Sequence, residues 1–168
     1  MNQPALHPDE TVESGRVRLS RLGLEDVASL PWLEGALRPD WRLDDLRPHV
    51  EARRAVLISD AAGLPVGAAC YVLDAPEPGS ASVPFIAIEP ARRFRGLGGE
   101  AALALERLLR ERRGVRRVFA PVPDGRGLAV YFWLRLGYRP LIAAEAPWPL
   151  AGLTAEPRPG IWLLRDGS

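Results

Sequence analysis

Along residues 16–22 apolar and polar positions alternate with a period of two, Val17 and Leu19 falling between Arg16, Arg18 and Ser20, and this pattern predicts a half-exposed strand. Over residues 25–37 and 42–53 the apolar positions move to helical spacing. Pro31, Pro39 and Pro48 interrupt them, so two short helices joined by a loop around Arg38 to Trp41 are expected. Residues 55–59 and 65–73, rich in Val, Ile and Ala, flank the turn-like Asp60-Ala61-Ala62-Gly63 and predict a hairpin. A Pro/Gly loop at 74–80 leads to a further strand at 83–88, where Pro84 cannot donate to a ladder. The clearest helix spans 100–113: Ala101, Leu105 and Leu108 share a face, Glu106/Arg110 and Arg107/Glu111 are spaced as i,i+4 pairs, and Gly114 supplies the stop. A strand at 117–122, a helix at 128–136 ended by Gly137, and strands at 138–144 and 161–164 complete the order, with a Pro-rich connection at 147–159.

A length of 168 residues and 47% hydrophobic content fit one domain, expected over 15–168, behind a disordered lead-in at 1–14. That lead-in carries Asp9, Glu10 and Glu13 and has no apolar h-region, so it does not read as a signal peptide. No apolar run approaches the ~20 residues that a membrane span needs. The 22 basic residues are all arginine, and the absence of lysine excludes a lysine Schiff base, a lysine nucleophile and a Gly-x-x-x-x-Gly-Lys phosphate loop. A net charge of +1 gives no reason to expect nucleic acid as a partner. The lone Cys70, set among Ala68, Ala69 and Tyr71, reads as a core residue and points to a reducing, cytoplasmic setting. His7 and His49 are the only imidazoles, with no metal-ligand spacing around either, so neither a metal site nor a histidine-based triad is expected.

The chemistry concentrates at Phe85-Ile86-Ala87-Ile88-Glu89-Pro90-Ala91-Arg92-Arg93-Phe94-Arg95-Gly96-Leu97-Gly98-Gly99, where an apolar strand turns directly into the strong helix. Gly96, Gly98 and Gly99 let successive backbone N–H groups approach a ligand, and the helix start adds about half a positive charge. Arg92, Arg93 and Arg95 surround the same turn, so a di- or triphosphate-like group is its natural guest. A plainer reading makes the glycines a sharp reversal and leaves the arginines in water. Gly96-x-Gly98-x-x-Ala101 also matches the dinucleotide fingerprint. That fingerprint wants a carboxylate about 20 residues on, where this chain has Phe119, Ala120 and Pro121.

The order of two motifs resembles the GNAT superfamily of acetyl-CoA-dependent N-acetyltransferases. Ile86, Ile88 and Pro90, then Arg93, Gly96 and Gly98, then Ala129, Phe132, Trp133, Arg135, Gly137 and Tyr138 occupy its signature positions. The resemblance implies an α/β fold, a central mixed sheet of about six to seven strands flanked by helices, in which strands 83–88 and 117–122 run parallel and splay apart. Acetyl-CoA would be the co-substrate. Its pantetheine arm would pair with the backbone of Ile86, Ala87 and Ile88, and its pyrophosphate would rest on Arg93 and the amides of Phe94, Arg95, Gly96, Leu97, Gly98 and Gly99. Pro121 and Pro123 fit independently, because neither can donate to continued pairing.

Transfer to an amine needs the amine deprotonated, its attack aimed and the leaving thiolate stabilised. Where the family often places a tyrosine acid this chain has Trp133, whose indole donates a hydrogen bond but is no proton source near neutral pH; a plain core aromatic is the competing reading. Glu89, ending the strand, is the candidate base, against the alternative of a surface carboxylate balancing Arg92 or Arg93. Trp32, Glu34, Arg38, Asp40, Trp41, Glu145 and Trp148 fall where the resemblance implies that the acceptor approaches. The expected acceptor is therefore a primary amine, on a small molecule or a peptide. A homodimer is the assembly common in the family, and a non-catalytic acyl-CoA-binding or regulatory module is the alternative on the same fold.

Overall fold

The computed structural model describes residues 11–37, 42–142 and 160–167. The alternating segment forms β2 (Val17–Arg21), with Val17 and Leu19 buried and Arg18 exposed, as period two requires. It is preceded by β1 (Val12–Ser14), inside the stretch expected to be a lead-in. Gly15, at φ 57°, makes the tight reversal that pairs Val12 with Leu19 and Ser14 with Val17.

The helical region breaks into three pieces instead of two. α1 (Leu24–Ala28) and α2 (Leu33–Ala36) are separated around Pro31, whose missing N–H and fixed φ end one turn and open the next, and α3 (Leu43–Glu51) follows. Asp26 and Asp45 each reach back to the backbone N–H of the residue before their helix, Gly23 and Arg42. Pro48 lies inside α3. The loop at 38–41, with Arg38, Asp40 and Trp41, lies outside the described residues.

β3 (Ala55–Asp60) and β4 (Pro65–Leu73) form the expected hairpin. β5 (Ser80–Ile88) begins three residues before its expected start, and a short 3-10 turn (Pro90–Arg92) separates it from α4 (Leu97–Arg113), which also starts three residues early. β6 (Arg117–Pro123), α5 (Gly127–Arg135), β7 (Arg139–Pro140) and β8 (Gly160–Asp166) complete the chain. β7 is far shorter than the strand expected at 138–144, and residues 143 and 144 lie outside the described residues. The sheet is mixed and has eight strands in the order β1-β2-β3-β4-β5-β6-β8-β7. The strand beyond the seven placed from the sequence is β1, inside the expected lead-in.

By internal contacts the chain forms two compact units. The first comprises residues 1–71 and 85–108. Its core packs Leu22, Leu30, Leu33, Leu37, Leu46 and Val50 against Ala55, Ala68, Cys70, Phe85 and Ala87, and Cys70 is fully buried there. The amphipathic helices thus bury one face on β3, β4 and β5, each large apolar side chain contributing roughly 1.5–3 kcal/mol. His49, on α3, is held neutral into lower pH than usual, first by burial and then by the nearby Arg54. The second unit comprises residues 72–84 and 109–168. In it β5 and β6 run parallel, with Ser80 beside Arg117 and Ser82 beside Phe119, while β8 lies antiparallel to β6 along its whole length. Phe119 and Trp162 meet edge to face at 5.9 Å beside buried Leu164.

Candidate active site

In the first unit the end of β5 is fixed by a close approach of two backbones. A Cβ on buried Gly67 of β4 would lie 2.6 Å from the Ala87 carbonyl oxygen and 2.7 Å from Ile88 Cδ1, so only glycine fits. One residue further on, the Glu89 N–H donates to the Val66 carbonyl at 2.8 Å. Ala87 and Ile88 are buried and Ile86 is half-buried.

The chain then passes through the 3-10 turn, and its arginines separate into distinct roles. Arg92 donates to Asp60 at 3.0 Å and lies 3.7 Å from Glu89. Asp60 also accepts from the Ala62 and Leu64 amides, an Asx turn that closes the β3–β4 hairpin. The Leu64 amide foremost, with Ala62 and Arg92, holds the Asp60 carboxyl below the usual carboxylate range. Arg93 donates from Nε to the Ile88 carbonyl at 3.0 Å, tying the turn to the last residue of β5. Arg95 is exposed and makes no ion pair among the described residues. Glu89, the candidate base, is therefore a half-buried carboxylate with one distant cation beside it.

Phe94 has φ 63° and Gly96 φ 81°, so the turn steps through the left-handed region on both sides of Arg95. Glycine takes that conformation freely and phenylalanine does not. From Phe94 to Gly99 six successive backbone N–H groups find no acceptor among the described residues; the first bond of the helix start is Glu100 N–H to the Gly96 carbonyl at 3.1 Å. Six successive open donors beside the positive end of a 17-residue helix suit an anion such as a diphosphate. The sequence leads to the expectation of an anion at this same turn, Arg93 through Gly99.

Sequence reasoning missed a further arginine here. Arg16 binds Glu100 with three donors: its backbone N–H at 2.9 Å to Oε2, and Nε at 2.8 Å and Nη2 at 2.5 Å to Oε1. Its Nη2 stands 3.0 Å from where a Gly96 Cβ would be. The pair cancels a carboxylate in the first turn of α4, next to the donors. No local signal marks it, because the partners lie 84 residues apart and Arg16 shows in the sequence only as the polar member of a strand alternation.

The hydrogen bonds from Arg16 hold the Glu100 carboxyl below its usual range. A carboxyl with a depressed folded pKa contributes stability above its unfolded pKa and loses it as the pH falls through the folded value. Arg16→Gln is therefore expected to lower the melting temperature at pH 7, with the gap to the native chain closing below about pH 4, as measured by thermal denaturation across pH. A gap that persists unchanged in acid would assign the loss to packing instead.

In the second unit Trp133 lies on α5 with only 5% of its surface exposed, 5.1 Å from the Phe132 ring and 4.8 Å from the buried Tyr138 ring. Tyr131, two positions earlier, is 58% exposed and lies under the Arg135 guanidinium. Glu34 and Trp32 belong to the helical region of the first unit, Trp32 packing on its core, whereas Glu145 and Trp148 lie outside the described residues. Among the described residues no group of three or more His, Cys, Asp or Glu could hold a metal ion, and no helix is long and apolar enough to cross a membrane.

Residues 23–138 match the family model described as the acetyltransferase (GNAT) family. No curated protein sequence matches the chain. Solved structures share the fold. An acetyltransferase from Agrobacterium tumefaciens superposes with a TM-score of 0.71 at 14% identity, covering 97% of this chain and 98% of its own. RimJ from Mycobacterium smegmatis, solved with CoA-disulfide, gives 0.71 at 16% identity over 97% and 90%, and an acetyltransferase from Thermus thermophilus gives 0.64 at 23% over 94% and 99%.

Proposed function

Since this chain belongs to the acetyltransferase (GNAT) family, we propose that it binds acetyl-CoA at the turn from Arg93 to Gly99 and transfers the acetyl group to a primary amine. The observation that carries the reading is the row of six amide donors without acceptors from Phe94 to Gly99. They suit the diphosphate of the coenzyme. The backbone of Ile86, Ala87 and Ile88 would take the pantetheine amides as an added strand, with the Ile88 carbonyl already steadied by Arg93.

The thioester supplies the acyl carbon. The amine nitrogen bonds to that carbon, the carbon–sulfur bond breaks, the electron pair leaves on the thiolate, and the nitrogen gives up a proton. Glu89 is the group assigned to receive that proton, directly or through water. Its neighbour Arg92 lies 3.7 Å away, so the carboxylate stands beside a cation at the end of β5. Trp133 remains the proposed counterpart of the family's tyrosine; its indole can donate a hydrogen bond but not a proton, so water completes the protonation of the thiolate. Glu89→Gln is expected to lower kcat about tenfold with the KM for acetyl-CoA within twofold, read from steady-state coenzyme release. An equal kcat would return Glu89 to the role of a surface partner for Arg92.

The burial of Trp133 against Phe132 and Tyr138 favours a second reading, an acyl-CoA-binding or regulatory module in which the indole only packs. Calorimetry with acetyl-CoA followed by coenzyme release across a panel of amines separates the two. Micromolar binding with turnover on any amine above background hydrolysis supports the transferase. Binding without turnover supports the module, and no binding removes both.

A further inference from the structure

The most exposed large hydrophobic side chain among the described residues is Phe94, at 96%, and it sits in the left-handed conformation at φ 63°. Both facts run against what stability alone would select. A bulky side chain at positive φ costs about 1–2 kcal/mol, and an aromatic ring wholly in water recovers none of that through burial. Residues held in such a state cluster where ligands are clamped. The neighbourhood narrows the ligand. Phe94 provides the first of the six open amides and is flanked by Arg93 and Arg95. Arg93 donates to the Ile88 carbonyl and Arg92 to Asp60, so the turn leading to the ring is tied to the ends of β5 and β3. The ring thus stands in water on a tethered turn, beside the proposed phosphate site.

Resting on the proposed coenzyme site, we propose that Phe94 is the stacking platform for the purine base of the coenzyme and sets the preference for an adenine-bearing acyl donor. The diphosphate has two ends. If one continues along Ile86 to Ile88 as pantetheine, the other leaves the turn toward solvent carrying the nucleoside, on the side where Phe94 offers a bare ring. A purine face on an aromatic ring removes apolar surface of both partners from water without needing a hydrogen bond, which suits a ring that is 96% exposed.

The test compares Phe94→Leu and Phe94→Trp with the native chain. Both substitutions keep a bulky side chain at the same positive φ, and only the tryptophan keeps an aromatic face. Calorimetry with CoA is expected to show an affinity loss of about five- to fiftyfold for Phe94→Leu and a value within about threefold of the native one for Phe94→Trp. In ring-labelled native protein, where the chain has four phenylalanines and Phe94→Leu identifies the signal, CoA is expected to shift the Phe94 ring resonances upfield, and inorganic pyrophosphate is not. Native-like CoA affinity in Phe94→Leu, equal losses in both variants, or an unmoved Phe94 signal at saturating CoA overturns the stacking role while leaving the anion site intact. Absence of any CoA binding by the native chain overturns the proposed function itself.

Discussion

Gly98→Glu is expected to weaken CoA binding by at least about 100-fold and to abolish turnover, with thermal stability and helix content little changed. Gly98 is the second residue of α4 and lies inside the run of amides from Phe94 to Gly99 that have no acceptor among the described residues. A glutamate there is tolerated by the helix itself, since an acidic residue in a first turn complements the positive end of the helix and glycine is a poor helix former. The same side chain competes for the donors that the proposed function assigns to the diphosphate and places a negative charge against it. Coulomb repulsion between close anions at the protein surface, together with the lost amide contacts, accounts for the magnitude. The change thus separates function from folding. Calorimetry with CoA and circular dichroism of the same sample decide the outcome: retained affinity would mean that the donors of this turn do not face the ligand.

Gly67→Ala has the opposite signature. Its Cβ would stand 2.6 Å from the Ala87 carbonyl oxygen, a contact with backbone and not with a side chain that can swing away. The strand pair must separate locally, and we expect a loss of about 2–4 kcal/mol, or about 5–15 °C in melting temperature. Activity should fall more steeply than the folded fraction, because the displaced residues Ala87 and Ile88 are those assigned to the pantetheine arm. Denaturation by urea and coenzyme affinity measured well below the melting temperature check both parts. An unchanged midpoint would show that β4 and β5 have slack at Gly67.

Much of this architecture was legible in the sequence, for reasons that differ by element. The hairpin of β3 and β4 was marked by its turn residues, and the structure shows Asp60 making the two amide contacts that such a turn uses. The helix α4 announced itself by its apolar face and by Gly114, which adopts φ 65° at its end. Its true start at Leu97 was hidden, because Gly98 and Gly99 have poor intrinsic helix propensity, and being at the helix end overrides it. The expectation of a phosphate group at the glycine turn comes from the spacing of Gly96, Gly98 and Gly99 between a strand and a helix. The division of labour among its arginines could not be read from the sequence, since Arg92, Arg93 and Arg95 are equivalent as letters and differ only in what folds up beside them. Gly67 and Arg16 carry no local signal at all: the first matters through Ala87 and the second through Glu100, both far along the chain. Pro31 split a predicted helix where the periodicity of apolar residues ran through it.

The only sulfhydryl of the chain, Cys70, is sealed in the core of the first unit with no exposed surface. A chromogenic disulfide reagent added to the native protein should therefore colour only with coenzyme sulfur, free of a protein blank. In denaturant the same reagent should titrate one equivalent per chain, so that a single chemistry counts turnovers in the folded state and molecules in the unfolded one.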